Sequence, residues 1–370
     1  MGLTEKAIRK LKLGGAVSSL LSPFASDSAP LPTEAEAEGY LQALSPDAGS
    51  SCLIPPRPHG PGTYDADVII PVYNAGAFLR PCLDSVLGQE TAYRFRVIAV
   101  DDGSADGSGA VLDAVRDERL VVLHRENAGA AAARNRGLDL ADGRYIAFLD
   151  ADDLMSPGFL QTMIARADET GAVLLEGGYC TVDPEGRKLR DFPHADGPMD
   201  ARGCTGFPPG KLYRAELFDA LRFPEGYLFE DSLLAQVLLP LAGQRGAVYG
   251  VAAEAFRYRM HPRSTGRTNR GRVRSVDSFR VTRALYRDRQ ALGLPTDQRY
   301  YEYLLNMVLL TFHRTEQLEE PVRRALFVLW RAFFEQELSG FSTQNPARRM
   351  LEQALRAGDY GRYSLYCAVN

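Results

Sequence analysis

Read for runs and spacings of apolar residues, the chain gives its first clear strand signal at Val68-Ile69-Ile70. This short run of buried-strand type is closed by Pro71 and the turn residues Asn74 and Gly76. Phe78, Leu79, Leu83, Val86 and Leu87 then recur at the spacing of a helix face. The alternation repeats as a strand over Phe95–Val100, a helix after Asp106, a strand over Leu120–Leu123, a helix through Ala130–Leu140 and a strand over Tyr145–Leu149. A following helix is expected to open with Ser156 as N-cap and Pro157 in its first turn. Strands and helices alternating through short connections predict an α/β fold, a parallel sheet with helices on both faces. In such sheets ligands bind beyond the carboxyl ends of the strands, at the topological switch point.

The flanks have a different pattern. Within residues 1–21, Leu3, Ala7, Ile8, Leu11, Val17, Leu20 and Leu21 recur near helical spacing beside Lys6, Arg9, Lys10 and Lys12. That is a short basic amphipathic helix, suited either to a membrane surface or to packing on the protein's own body. Residues 22–64 hold eight of the 22 prolines, a linker composition too polar to bury much, with one short helix expected behind a Thr33/Glu36 capping box. Beyond Ser275 the pattern turns helical, with apolar stretches around Val276–Tyr286, Tyr303–Phe312, Ala325–Phe334 and Met350–Leu355. The expected division is an extension over 1–64, an α/β domain over 65–270 and a helical domain over 271–370.

Composition narrows the class. With 370 residues, 45% apolar and 24% charged, the chain can bury a sizeable core, and no run reaches the ~20 apolar residues of a spanning helix. Five scattered cysteines without a CxxC or Cys/His cluster argue against structural zinc and a disulfide framework, and point to the cytoplasm. The net charge of −4 hides eleven arginines between Phe256 and Gln290 against Asp277 and Asp288, so this segment carries +9 and the remainder −13. A general nucleic-acid binder is basic overall, which this chain is not. The arginines are left to meet phosphates, an anionic membrane surface or the acidic remainder of the protein.

The polar residues just after each expected strand carry the candidate chemistry. No GxGxxG follows the first strand, so the dinucleotide fingerprint is missing. Asp150, Asp152 and Asp153 fall within four residues and repel one another unless a cation such as Mg²⁺ or Mn²⁺ intervenes; the alternative is a solvated loop in which Asp153 caps the next helix. Asp101-Asp102-Gly103-Ser104 reads as turn chemistry or as a ligand contact at a strand end. Tyr73 suits stacking on a flat base or core packing, and Arg134 suits a phosphate or a surface acid. Glu230 and Asp231 precede an apolar helical run, as caps or as a general base. His261, among arginines, reads as a structural histidine, a metal ligand or part of an anion site.

The set is more specific than its parts. Val68-Ile-Ile-Pro-Val-Tyr-Asn74, Val100-Asp-Asp-Gly-Ser104, Asn127-Ala-Gly with Arg134-Asn135, Phe148-Leu-Asp-Ala-Asp-Asp153 and Phe229-Glu-Asp231 occur in that order. Together they closely resemble family 2 glycosyltransferases, and Lys211–Leu217 and Tyr258–Ser264 look like later family segments; the resemblance covers about Asp67 to Thr268. It implies a GT-A fold, a Rossmann-like mixed and mainly parallel sheet flanked by helices, here with a carboxyl-terminal helical domain. It further implies inverting transfer from a nucleoside-diphosphate sugar, a UDP-sugar first among the donors, to a hydroxyl of a saccharide or lipid-linked saccharide, in surface polysaccharide or glycoconjugate synthesis.

Carried over by the resemblance, Asp231 is the general base, and Pro71, Tyr73, Asn74, Asp102, Arg134, Asp150 and Ala151 form the donor site. Tyr73 stacks on the base and Asp102 hydrogen-bonds it; Asp152 and His261 hold Mn²⁺ or Mg²⁺; Lys211 and Glu230 lie on the acceptor side. The expected location is the cytoplasm, with peripheral contact at the inner face of the membrane, and a homo-oligomer is compatible with the helical domain. Two rival readings stand beside this one: a catalytically silent scaffold that binds nucleotide sugar, and a magnesium phosphohydrolase using Asp150 and Asp152. The second places its DxD after the fourth strand, where that chemistry normally has it after the first.

Overall fold

The computed structural model describes residues 29–57, 62–262 and 271–370. The expected amphipathic helix of residues 1–21 lies outside them, as do Arg263, Arg267 and Arg270 of the arginine-rich segment. The chain forms two compact units. One comprises the described residues of Ala48–Ser264 with Ala284–Leu294; the other comprises those of Met1–Asp47, Thr265–Arg283 and Pro295–Asn370.

The first unit is built on strands β1 (Ala66–Val72), β2 (Phe95–Asp101), β3 (Leu120–His124) and β4 (Tyr145–Phe148), interleaved with helices α2 (Leu79–Leu87), α3 (Ser108–Ala114) and α4 (Ala130–Leu140). Sequence periodicity finds all of these within a residue or two. After β4 come β5 (Leu154–Met155), α5 (Phe159–Thr170), β6 (Leu174–Val182), β7 (Lys188–Phe192), β8 (Gly197–Pro198), β9 (Lys211–Arg214), α6 (Leu239–Arg245) and β10 (Val248–Arg259). The sheet order is β3-β2-β1-β4-β9-β6-β10-β5, with β7 beside β6 and β8 beside β10. Strands β1 to β4 pair in parallel and β9 runs antiparallel to both β4 and β6, so the sheet is mixed. The chain winds from β1 outward to β3 and then crosses to β4 on the other side of β1, which makes the β1/β4 carboxyl ends the switch point.

Strand β1 is buried on both faces, which explains its unbroken apolar run. Pro71 is tolerated because β1 pairs with β4 only up to Ile69, so no partner is left to miss its absent N–H. Buried Asp67 accepts Arg96 Nε at 2.7 Å and the backbone N–H groups of Asp142 and Gly143 at 2.8 Å, tying β1 to β2 and to the turn before β4. Helix α4 approaches β1 closely: a Cβ on Gly137 would lie 2.4 Å from Ile69 Cγ2. Helix α5 begins at Phe159 behind a left-handed Gly158, so Ser156 is not its N-cap. Ser156 instead gives its hydroxyl to Glu254 and its backbone N–H to Ala255 O, which joins it to β10.

The second unit is helical: α1 (Glu34–Leu44), α8 (Gln298–Thr315), α9 (Glu320–Glu337), α10 (Arg349–Ala357) and α11 (Tyr360–Val369). The Thr33/Glu36 capping box forms as expected, with Glu36 Oε2 accepting the Thr33 N–H at 2.8 Å. The linker composition conceals what this helix does. Ala37 and Leu41, one turn apart, are completely buried, and Glu34 accepts a hydrogen bond from Gln336 of α9. Helix α11, rich in tyrosine, has no counterpart among the expected segments. Helix α7 (Asp277–Ala291) gives its first half to this unit and its second half to the sheet unit.

Of the eight described arginines of the 256–290 segment, Arg259, Arg280 and Arg289 are buried, Arg272, Arg274 and Arg287 are exposed, and several pair with nearby acids. Arg257 pairs with Glu254, Arg283 with Glu38 and Asp47, and Arg274 with Asp277. Among the described residues no helix is long and apolar enough to cross a membrane.

Candidate donor and acceptor site at the strand ends

Most candidates follow strand ends: Tyr73 and Asn74 after β1, Asp102 after β2, Asp150 to Asp152 after β4 and His261 after β10, while Arg134 lies on α4 and Glu230-Asp231 in a turn before a helical run. After β1, Tyr73 is 56% exposed, the most open aromatic ring of this region. Asn74, in left-handed backbone at φ 50°, accepts the Ala105 N–H at 2.8 Å and so ties the β1 loop to the β2 loop. After β2, Asp102 accepts Gly129 N–H at 2.7 Å and Ala128 N–H at 3.0 Å and lies 3.3 Å from Arg125 Nε. Its carboxylate is buried and braces the loop before α4.

Helix α4 organises the opposite wall. Arg134, 5% exposed, donates Nη2–H to Asp150 and Nη1–H to Glu230, both at 2.8 Å, and lies over the Phe223 ring. Burial alone lowers a guanidinium's pKa, but these two carboxylates hold Arg134 above its usual value. Asn135 exchanges hydrogen bonds with the Phe223 backbone and donates to Glu225. Two consecutive side chains of α4 thus fasten the 223–230 turn, which ends in Phe229 at φ 69°, a left-handed conformation of order 1 kcal/mol above the right-handed one. Glu230 is the link to Arg134, and Asp231 follows it at the entrance to a helical run containing the π-turn Leu234–Leu238.

After β4, Ala151 is buried in the core, while Asp150 and Asp152 keep about a third of their side chains exposed. His261, two residues beyond β10, meets Asp152 with Nε2 2.8 Å from Oδ2. Burial and the neighbouring Asp150 push the Asp152 carboxyl above its usual value. Among the described residues no lysine or arginine pairs with Asp152. A carboxylate of this kind beside an imidazole fits a hard divalent cation. Asp153 does not cap the following helix: its side chain is 1% exposed and accepts the backbone N–H of Arg259.

Cys180, Asp191 and Glu254 also bring three potential ligand atoms together. There Lys188 Nζ lies 2.6 Å from Asp191 and 2.9 Å from Glu254, with Arg257 on Glu254 as well. Burial alone raises the Glu254 pKa, but bonds from Arg257, Lys188 and Ser156 bring it down to about 2. Side-chain cations already fill the cation's place.

Lys211 stands apart from all of this. It is fully buried, and its ammonium donates to Thr205 Oγ1 and Phe207 O at 2.7 Å and meets Glu176 Oε1 at 2.9 Å. A lysine with its donors engaged inside the sheet unit has the geometry of a strut between β6 and β9. Residues that the motifs did not single out are Phe78, whose ring lies 4.6 Å from that of His261, and His124, which bridges Asp101 and Asp113. Only the i, i+2 spacing of Arg259 and His261 hinted at the first. Nothing in the sequence pointed to the second.

Comparisons with known proteins bear on the family and the fold. The family model described as "Glycosyl transferase family 2" matches residues 67–221. Glycosyltransferase GlyA of Streptococcus pneumoniae is 34% identical over 189 residues, covering 46% of this chain and 27% of GlyA. The succinoglycan biosynthesis protein ExoO of Rhizobium meliloti is 39% identical over 134 residues, 36% of this chain and 38% of ExoO. The chain therefore spans well under two thirds of these relatives. The crystal structure of S. aureus TarS 1-349 in complex with UDP-GlcNAc superposes with a TM-score of 0.53 at 19% identity, covering 81% of this chain and 89% of that one, a likeness of fold. The sheet unit has the GT-A fold, and residues 67–221 of the chain match glycosyltransferase family 2.

Proposed function

We propose that this chain transfers a sugar from a nucleoside-diphosphate sugar to an acceptor hydroxyl, with inversion at the anomeric carbon. The observation that carries the reading is the pair of hydrogen bonds Arg134 donates to Asp150 and Glu230, which draws the turn after β4 and the Glu230-Asp231 turn to one guanidinium. Donor-side and acceptor-side carboxylates far apart in sequence are thereby brought to one place. Tyr73 offers an open face for the base, and Asp150 lies toward the ribose and sugar. Asp152 with His261 would hold Mg²⁺ or Mn²⁺, which supplies charge neutralisation of the departing diphosphate. Asp231 takes the acceptor's proton as its oxygen attacks C1 and the C1–O bond to the diphosphate breaks. A positioned base of this kind typically contributes ~10²–10⁴-fold.

A UDP-sugar is the first donor to test, with a saccharide or lipid-linked saccharide of surface polysaccharide or glycoconjugate assembly as acceptor; the name of ExoO supports that setting. The five free cysteines support a reducing, cytoplasmic location. The test mixes the chain with Mn²⁺ and UDP-, GDP- and dTDP-sugars and follows binding and slow donor hydrolysis. Binding to one donor, lost in Asp152→Ala but kept in Asp231→Asn with hydrolysis reduced, is expected. A folded chain that binds no donor would move the reading to a silent scaffold.

A further inference from the structure

The turn after β4 and the end of β10 are zipped together over a few residues. Strand β5 pairs antiparallel with β10, with Leu154 opposite Arg257 and Met155 opposite Phe256. The ladder then runs out of main chain, because residues 150–153 fold into a turn in which Asp153 N–H bonds back to Asp150 O at 3.0 Å. At the next rung a side chain takes over: Asp153 Oδ1 accepts the Arg259 backbone N–H at 2.8 Å. Two residues later, on the same side of the extended chain, His261 emerges and meets Asp152. Phe78 packs beside both, its ring 4.6 Å from the imidazole and 4.8 Å from the Arg259 guanidinium carbon.

We propose that Asp153 is a positioning residue for the donor site: its carboxylate serves as the last rung between β5 and β10 and sets where His261 faces Asp152. It touches neither donor nor metal and acts through His261. Loss of that rung frees the Arg259 N–H and lets the 259–261 segment, still tied to β6 by Met260 N–H on Val182 O and packed on Phe78, shift away from the turn. The inference deepens the donor-site reading above and rests on it for its consequence, but not for its geometry.

The test compares Asp153→Ala, Asp153→Asn, His261→Ala and the Asp153→Ala/His261→Ala double variant with the unaltered chain. Calorimetry gives the Mn²⁺ concentration that half-saturates UDP binding, and ¹⁵N-histidine NMR reads the His261 ring without metal or nucleotide. Asp153→Ala is expected to raise the half-saturating Mn²⁺ by about tenfold, within the range for residues that orient a metal ligand. Asp153→Asn keeps an acceptor oxygen at the same place and is expected to remain within about threefold. In the His261→Ala background the alanine at 153 should add less than about twofold, because its route of action has gone. The His261 ring signals should move in Asp153→Ala and stay in Asp153→Asn. Equal effects of Asp153→Ala in both backgrounds, an Asp153→Asn as impaired as Asp153→Ala, or unmoved ring signals would each overturn the proposal. If the unaltered chain bound no UDP with Mn²⁺, the donor-site reading would fall, while the ring signals would still decide what Asp153 does.

Discussion

Replacing Lys211 with methionine separates a buried strut from an acceptor contact. Methionine keeps much of the side-chain length and apolar packing but removes the ammonium. Glu176, 2% exposed, then keeps Thr205 N–H and Oγ1 and His194 Nε2 at 3.3 Å, and loses its lysine partner. Phe207 O loses its lysine donor as well. Burial alone raises the Glu176 pKa, but in the parent Lys211 and Thr205 hold it below the usual 4.5; without Lys211 the buried charged form loses the cation that balanced it. Breaking one side of such a pair costs about 3–5 kcal/mol. For a unit of this size that lowers Tm by roughly 6–20 °C, read by far-UV circular dichroism at pH 7. Glu176→Gln placed on top of Lys211→Met removes the stranded charge and should recover about half of the loss. The pH dependence has a fixed sign. A carboxyl held below its unfolded value stabilises the fold above pH 4.5 and loses that contribution as pH falls through its folded value, so the gap between variant and parent should close in acid. A drop in Tm below about 2 °C, with transfer abolished, would refute the strut and return Lys211 to the acceptor side.

The other expectations are simpler to state. Arg134→Ala leaves Glu230 without this partner and should cost about 3 kcal/mol by urea unfolding, the partly exposed Asp150 contributing less than a fully buried partner; a change under about 1 kcal/mol would count against the bridge. His124 is held above the usual 6.5 by hydrogen bonds to Asp101 and Asp113, so its contribution is full below pH 6.5 and lost as pH rises through its folded value. The Tm difference between the parent and His124→Ala should therefore shrink from pH 6 to pH 9 (roughly the span of that titration), and a widening gap would contradict the assignment. Gly137→Ala gains about 1 kcal/mol of helix propensity but forces a methyl against Ile69, so a net loss of about 1–2 kcal/mol is expected; a more stable variant would show that α4 can back away from β1.

Much of this protein is legible without coordinates because its local and global preferences agree. The β1–β4 half alternates strand and helix with little ambiguity, since central parallel strands must be apolar on both faces and their helices carry one apolar stripe. Strand ends in such a sheet mark the ligand side, so Tyr73, Asp150 and Asp152 can be picked out by position as well as by motif, and Glu230-Asp231 by motif alone. The second half of the sheet is harder to read. Strands β5, β8 and β9 are two to four residues long, too short to show a period, and they exist because neighbours in the sheet complete their hydrogen bonds. Helix α1 is legible from its capping box, but the burial of Ala37 and Leu41 is not, because the polar, proline-rich stretch around it gives no sign of a packing face.

The chain by itself determined the order of elements, the chemistry available at each strand end and the family resemblance, because these depend on residues near one another in sequence. Only the tertiary structure decided which carboxylates are buried against partners and which stay partly open. Asp102 and Asp153 look like candidate site acids in a string of letters, and Glu176 carries no motif. Each has an oxygen engaged, by Gly129, by Arg259 and by Lys211 respectively, partners 27, 106 and 35 positions away. The same fold leaves Asp150 and Asp152 partly open. A carboxylate's role follows from whether its oxygens are already satisfied, and that is a property of contacts between distant segments.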